Sequence, residues 1–213
     1  MSWLKQTLWS SIGKKFMMAV TGLSFCGFLT VHLAGNFTLY AGPDVFNSYA
    51  ERLHSYGPLL SIAEMGLLLL ALAHVLTGAT LFYQNFKSRP VRYAVNHRAG
   101  GRTIGSATMP YTGFLLLTFV IIHLFNFHFV DKTDTTIFQI VSDAFSHPGY
   151  VTLYVLAMIV AAIHVSHGVW SAFQTIGANQ AKYMPVIRIA GIVFSFAVGI
   201  GFGLIPLYFS VLS

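Results

Sequence analysis

Four histidines, His32, His74, His123 and His164, lie one each inside four successive long apolar stretches of this chain. An imidazole in hydrocarbon must find a partner, so intramembrane histidines are functional candidates by default. One alone proves little, because it can simply bond a hydroxyl or carbonyl on a neighbouring helix. Depth separates the two readings. Counted at about 1.5 Å per residue, His32 and His123 sit about two thirds of the way along their stretches, in the half away from the chain's start. His74 and His164, on stretches that run back, come out somewhat beyond the middle, closer to the starting side. Two pairs at two depths, offset by on the order of 10 Å, are what two stacked b-type haems require. Each iron takes two axial imidazoles in trans from facing helices.

Small residues accompany these ligands. His74 is followed four residues on by Gly78, His164 by Gly168, and His32 three residues on by Gly35, so each has a glycine on its own helical face. A flat macrocycle can lie against such a face, and close helix packing uses the same residues. His167 is one turn from His164 and is its rival. His164 is favoured because its depth matches His74 and Gly168 then falls at the same spacing. His128, close to a membrane boundary, suits an interfacial or propionate-contacting role, while His54, His97 and His147 lie in connections and are expected to be solvated.

The elements that position these side chains follow from composition. Of 213 residues 55% are hydrophobic and 8% charged, against about a quarter charged in soluble domains, so water is not the main solvent. The apolar runs cover roughly 16–40, 58–86, 109–130, 148–176 and 185–212, each near or above the ~20 residues that cross hydrocarbon. The expected fold is an all-α integral membrane bundle of five transmembrane helices, a single domain over residues 1–213 with no room for a soluble one. Pro58, Pro148 and Pro185 stand at the starts of three runs, where a missing N–H costs little. The first run is too long for a secretory signal and lacks a small-residue cleavage pattern after it. The lone cysteine, Cys26, lies inside it and reads as a packing residue. No internal repeat of the kind transporters carry is apparent.

Charge sets the orientation. Lys5, Lys14, Lys15, Lys87, Arg89, Arg92, Arg98, Arg102, Lys182 and Arg188 share one side, whereas Asp44, Glu51, Glu64, Asp131, Asp134 and Asp143, all the acids of the chain, lie toward the other with Arg52 and Lys132. The positive-inside rule then makes the N-terminus cytoplasmic and, after five crossings, the C-terminus external. The net charge of +6 is explained by this topology and not by nucleic acid, since the cations flank spans and form no stripe.

Several segments resemble one family. His32-Leu-Ala-Gly-Asn, Asn47-Ser-Tyr-Ala-Glu-Arg-Leu, His74-Val-Leu-Thr-Gly, Tyr111-Thr-Gly-Phe through His123-Leu-Phe, and His164-Val-Ser-His-Gly-Val-Trp-Ser-Ala-Phe-Gln-Thr-Ile-Gly177 look like the cytochrome b subunit of succinate:quinone oxidoreductases, in its five-helix, dihaem branch. The resemblance covers nearly the whole chain. It implies a bacterial cytoplasmic-membrane protein with His32 and His123 on an outer haem b and His74 and His164 on an inner one. It also implies a cytoplasmic flavoprotein subunit and an iron–sulfur subunit docked on the cytoplasmic face, where the basic loop 87–102 is a docking candidate as well as a lipid-headgroup one. The dicarboxylate chemistry would belong to the flavoprotein, and the quinone would be menaquinone or a related one.

Propionates near the inner surface would need cationic partners, for which Lys14, Lys15, Arg89 and Arg92 are available. Quinone chemistry couples electrons to protons, so protonatable groups are needed near the membrane edge. Glu51, His54 and Glu64 are at hand on the outer side, though an ordinary polar loop with an interfacial acid would look the same. Some family members carry an acid two positions before the span-four ligand as part of a proton path. Here that position is Ala162, and span four contains no carboxylate. Competing readings are the cytochrome b anchor of a hydrogenase or formate dehydrogenase, against which the segment from His164 to Gly177 argues, and a haem-free transporter or passive anchor.

Overall fold

In a computed structural model the chain is described over residues 6, 7, 9–88 and 103–212. Lys5, Arg89, Arg92, His97, Arg98 and Arg102 lie outside the described residues. Five long helices dominate: span one Ser11–Asn36, span two Pro58–Lys87, span three Ile104–Phe127, span four Pro148–Thr175 and span five Met184–Leu212. All five are long and apolar enough to cross a membrane, and the described residues contain no strand.

Two span starts differ from the sequence expectation, and side-chain caps account for both. Ser10 Oγ accepts from the Gly13 amide at 3.0 Å and opens span one at Ser11, five residues before Phe16. Its end also differs, because Phe37–Ala41 tightens into a 3₁₀ turn. Thr103 Oγ1 accepts from the Ser106 amide at 3.1 Å and opens span three at Ile104, not Met109. Each cap satisfies an amide that the first helical turn leaves unpaired. Pro110 consequently lies inside span three, where it removes one backbone bond. Pro58 and Pro148 each occupy a first turn, as their positions at the run starts anticipate.

Two segments expected as connections are helices, Pro43–Ser55 and Ile137–Ser146. Glu51 and His54 are therefore helical, and His147 is the residue that precedes the first turn of span four. Gly42, with φ 94°, permits the reversal into the first short helix and Gly57, with φ 53°, the one out of it. The second begins with a reciprocal cap, Thr136 Oγ1 accepting from the Gln139 amide while Gln139 Oε1 accepts from the Thr136 amide. Asn47 Oδ1 accepts from the Phe138 amide at 3.1 Å and ties the two short helices together. Their apolar faces close the side of the bundle away from the N-terminus over a core of Leu39, Phe46, Val141, Phe145, Tyr154, Ile205 and Phe209.

Spans four and five form the closest pair, and glycine is the reason. Gly191, Gly199 and Gly203 of span five face Val169, Ala162 and Met158 of span four. Without side chains on one partner, the backbones approach and gain van der Waals contact, which is what holds helices together in lipid. Span one packs on spans two, four and five, and span three on span four, whereas spans two and three touch little. Span two has no buried residue and turns Leu59, Ile62 and Leu76 outward.

Candidate functional site

On the side away from the N-terminus, His32 of span one and His123 of span three meet. Their ring centroids are 5.9 Å apart and their planes are at 88°. Each histidine is four residues from the end of its span, which sets them at one level. Aromatic rings surround them: Phe28 stacks on His32 at 5.1 Å, Phe202 lies 5.4 Å from it, and Phe119, Phe127 and Tyr154 surround His123 at 5.3 to 6.1 Å. Asn126 Nδ2 donates to Tyr154 Oη at 3.0 Å and fixes one of these walls. His123 Nδ1 is buried and, among the described residues, has no hydrogen-bond partner. Unpaired buried polar atoms are uncommon and point to a partner beyond the protein's own atoms or to function.

The second pair lies nearer the N-terminal side. His74 Nδ1 is 2.9 Å from Thr21 Oγ1 of span one, and His164 Nδ1 is 3.0 Å from Thr112 Oγ1 of span three. Both threonines are buried, at 2% and 7% exposure, in a bundle with few buried polar residues. Thr21 Oγ1 also reaches the Met17 carbonyl at 2.8 Å, and Thr112 Oγ1 that of Thr108 at 3.1 Å. A hydroxyl that gives its one proton to such a carbonyl can accept from an imidazole Nδ1–H. In that arrangement the lone pair of the histidine is on Nε2. The residue after each threonine is glycine, and a Cβ at Gly22 would come 3.6 Å from His74 Cε1 and one at Gly113 3.5 Å from His164 Cε1. Phe25 meets the His74 ring edge-on at 5.6 Å.

Both clamps and both outer histidines come from the same two helices. Thr21 and His32 are eleven residues apart, as are Thr112 and His123. Eleven residues make about three turns, so threonine and histidine share a helical face about 16 Å apart. The sequence Thr-Gly followed by nine residues and His occurs in spans one and three alike, a short internal repeat that sequence reading missed.

His167 is a different case. Its Nδ1 lies 3.3 Å from Thr103 Oγ1, whose oxygen accepts from the Ser106 amide and, among the described residues, donates to no carbonyl. Trp170 lies edge-on to its ring at 4.9 Å.

The glycines expected on ligand faces divide. Gly168 opens with nothing within 4 Å of an added Cβ, Gly78 faces the tip of Met18, and Gly35 receives the Tyr49 ring and hydroxyl from the first short helix. Lys14 Nζ donates to Gln84 Oε1 at 2.6 Å, joining the start of span one to the end of span two, while Lys15 is exposed. On the far side Glu64 Oε1 is 3.9 Å from His128 Nδ1, both about half exposed. Glu51 and His54 are exposed on the first short helix, His54 Nδ1 being 2.7 Å from the Ala50 carbonyl.

The donor set fits two axially ligated haems. Among the described residues no group of three or more His, Cys, Asp or Glu forms a metal cage, and a haem iron needs only two protein donors because the macrocycle supplies the rest. Two paired levels offer two donors each. Ligating histidines ordinarily hold their other ring nitrogen in a hydrogen bond that fixes the tautomer, and His74 and His164 have that bond. No family model, no curated protein and no solved structure matches this chain.

Proposed function

We propose that this chain is the dihaem cytochrome b membrane anchor of a succinate:quinone oxidoreductase, either succinate dehydrogenase or quinol:fumarate reductase. It would carry electrons between an iron–sulfur subunit and menaquinone or another membrane quinone. The observation that carries this reading is four intramembrane histidines at two levels, His32 and His123 ring to ring and His74 and His164 each beside a buried threonine.

His32 and His123 would hold one haem b, and His74 and His164 the other. Bound haem supplies reversible one-electron chemistry, which no side chain of this protein offers. The chain's own residues bind and orient it: Thr21 and Thr112 fix two imidazoles, and Phe28, Phe119, Phe127 and Tyr154 keep water from the outer pair. Lys14 and Lys15, at the N-terminal end of span one, are placed for an inner propionate. We read that end as cytoplasmic by the positive-inside rule, and the family resemblance implies flavoprotein and iron–sulfur partners on that face and a bacterial cytoplasmic membrane. Quinone reduction or quinol oxidation also moves protons. Glu64 and His128, 3.9 Å apart at the opposite edge, support a proton-exchanging quinone site there better than Glu51 and His54 do.

The test is a reduced-minus-oxidised spectrum and haem-to-protein ratio of the purified full chain, with single alanine variants. Two b-type haems per chain are expected, falling to one in each of His32→Ala, His74→Ala, His123→Ala and His164→Ala. His167→Ala should retain two. Folded protein without haem would overturn the reading, and loss of a haem in His167→Ala but not His164→Ala would reassign the ligand.

A further inference from the structure

We infer that Thr21 and Thr112 are the positioning residues of the inner pair, each hydroxyl accepting the Nδ1 hydrogen of one inner histidine so that Nε2 faces the iron and donates to it more strongly. The inference rests on the haem reading above and adds to it a pair of residues that bind nothing themselves.

The geometry is the same in two independent places. In each, a buried threonine hydroxyl lies within reach of a carbonyl three or four residues back and of an imidazole Nδ1 on the next helix, at 2.9 and 3.0 Å. An imidazole that binds iron through Nε2 carries its hydrogen on Nδ1, so the hydroxyl oxygen accepts it and the threonine proton goes to the carbonyl. In each, the following glycine keeps the ring edge clear, at 3.6 and 3.5 Å from where a Cβ would stand. A threonine in a membrane helix ordinarily satisfies itself with its own backbone. Thr118 of span three does only that, bonding the Phe114 carbonyl at 3.1 Å.

The outer pair has no such support. Asn36 Nδ2 donates to the His32 carbonyl at 2.8 Å, and the same nitrogen is the group 3.5 Å from His32 Nδ1, a donor that cannot take a hydrogen from it. His123 Nδ1 has no hydrogen-bond partner among the described residues. The two levels therefore differ in the basicity given to their ligands, and only the inner level is held by oxygen acceptors. An acceptor at Nδ1 makes the imidazole more electron-rich, which favours ferric over ferrous iron. Removing it raises the midpoint potential of that haem alone.

The test is a redox titration and low-temperature electron paramagnetic resonance of the full chain carrying Thr21→Val, Thr21→Ser, Thr112→Val, Thr112→Ser or Thr118→Val. Valine keeps the shape and deletes the acceptor, while serine keeps the acceptor. The expected result is two haems in every variant. One of the two components shifts toward ferrous by about three- to tenfold in each valine variant at Thr21 or Thr112, a tenfold change being about 59 mV for one electron. The same component's resonance should move, serine should restore both readouts, and Thr118→Val should match the parent.

Valine variants that keep two haems with an unmoved titration and spectrum would overturn the inference. So would serine variants that shift as far as valine. A valine variant that loses only the inner haem while its serine counterpart keeps both supports the clamp by the same logic. Parent protein with no haem would instead overturn the reading beneath it, which separates the two failures.

Discussion

The seam between spans four and five predicts a graded response to adding one methyl group. A Cβ at Gly199 would lie 2.9 Å from Ala162 Cβ and 3.3 Å from the Met158 carbonyl oxygen, whereas one at Gly203 would lie 3.7 Å from Met158 Cβ. Carbon atoms in good contact sit about 3.5–4.0 Å apart, so alanine fits at 203 and is about 0.6–1.1 Å too close at 199. Backbone cannot swing away as a flexible side-chain tip can, and Ala162 has nothing to rotate. Overpacking of this kind costs about 1–3 kcal/mol. Both changes are Gly→Ala in the same helix, so the gain in helix propensity cancels between them and the difference isolates the contact. Gly203→Ala should therefore be more stable than Gly199→Ala by about 1–3 kcal/mol. Gly191→Ala, 3.2 Å from Val169 Cγ1, should fall between. Unfolding titrations with dodecyl sulfate, followed by circular dichroism in mixed micelles, measure this directly. Gly199→Ala as stable as Gly203→Ala would refute the close-approach account of the seam. The same contact bears on Ala162: a carboxylate there must push span five aside, so this chain cannot accept one without rearranging that interface.

Gly35→Ala drives a methyl into the Tyr49 ring and should loosen the first short helix, read as faster hydrogen exchange over Pro43–Ser55; restoration by a second change, Tyr49→Leu, would show that the clash is the cause. Glu64→Gln and His128→Ala each break the far-side pair at 3.9 Å and should slow quinone-coupled turnover of the assembled complex at least tenfold while leaving both haems in place. An unchanged rate in both variants would move the proton-exchanging group elsewhere.

Much of the fold was legible because lipid imposes a crude rule, a long apolar run per span, and prolines mark where two of the runs begin. The two short helices were not legible by that rule. The segment 43–55 carries Asp44, Glu51 and Arg52, and its burial depends on Phe46 and Ala50 alone. For 137–146 the signal was present, Thr136 followed three residues later by Gln139, a reciprocal cap easily overlooked beside two aspartates. Histidine pairing at His32 and His123 was legible from depth, since both sit the same distance from their helix ends. The threonines were not, because a membrane threonine bonded to its own backbone looks the same in sequence as one that also reaches a neighbour. Only the doubled spacing, Thr-Gly and then His after nine residues, distinguishes Thr21 and Thr112 from Thr118.

The two histidines one turn apart on span four both meet a threonine at Nδ1, His164 at 3.0 Å from Thr112 and His167 at 3.3 Å from Thr103. Contact with a hydroxyl therefore does not separate them. Their surroundings differ. Thr112 is buried, and Gly113 beside it faces the His164 ring, whereas Thr103 is exposed and caps the first turn of span three. His167 thus ties that turn to span four, beside Trp170, over which Arg188 of span five lies at 4.8 Å. Under the haem reading proposed above, the more enclosed His164 is the better ligand, and the alanine variants of the two histidines decide between them.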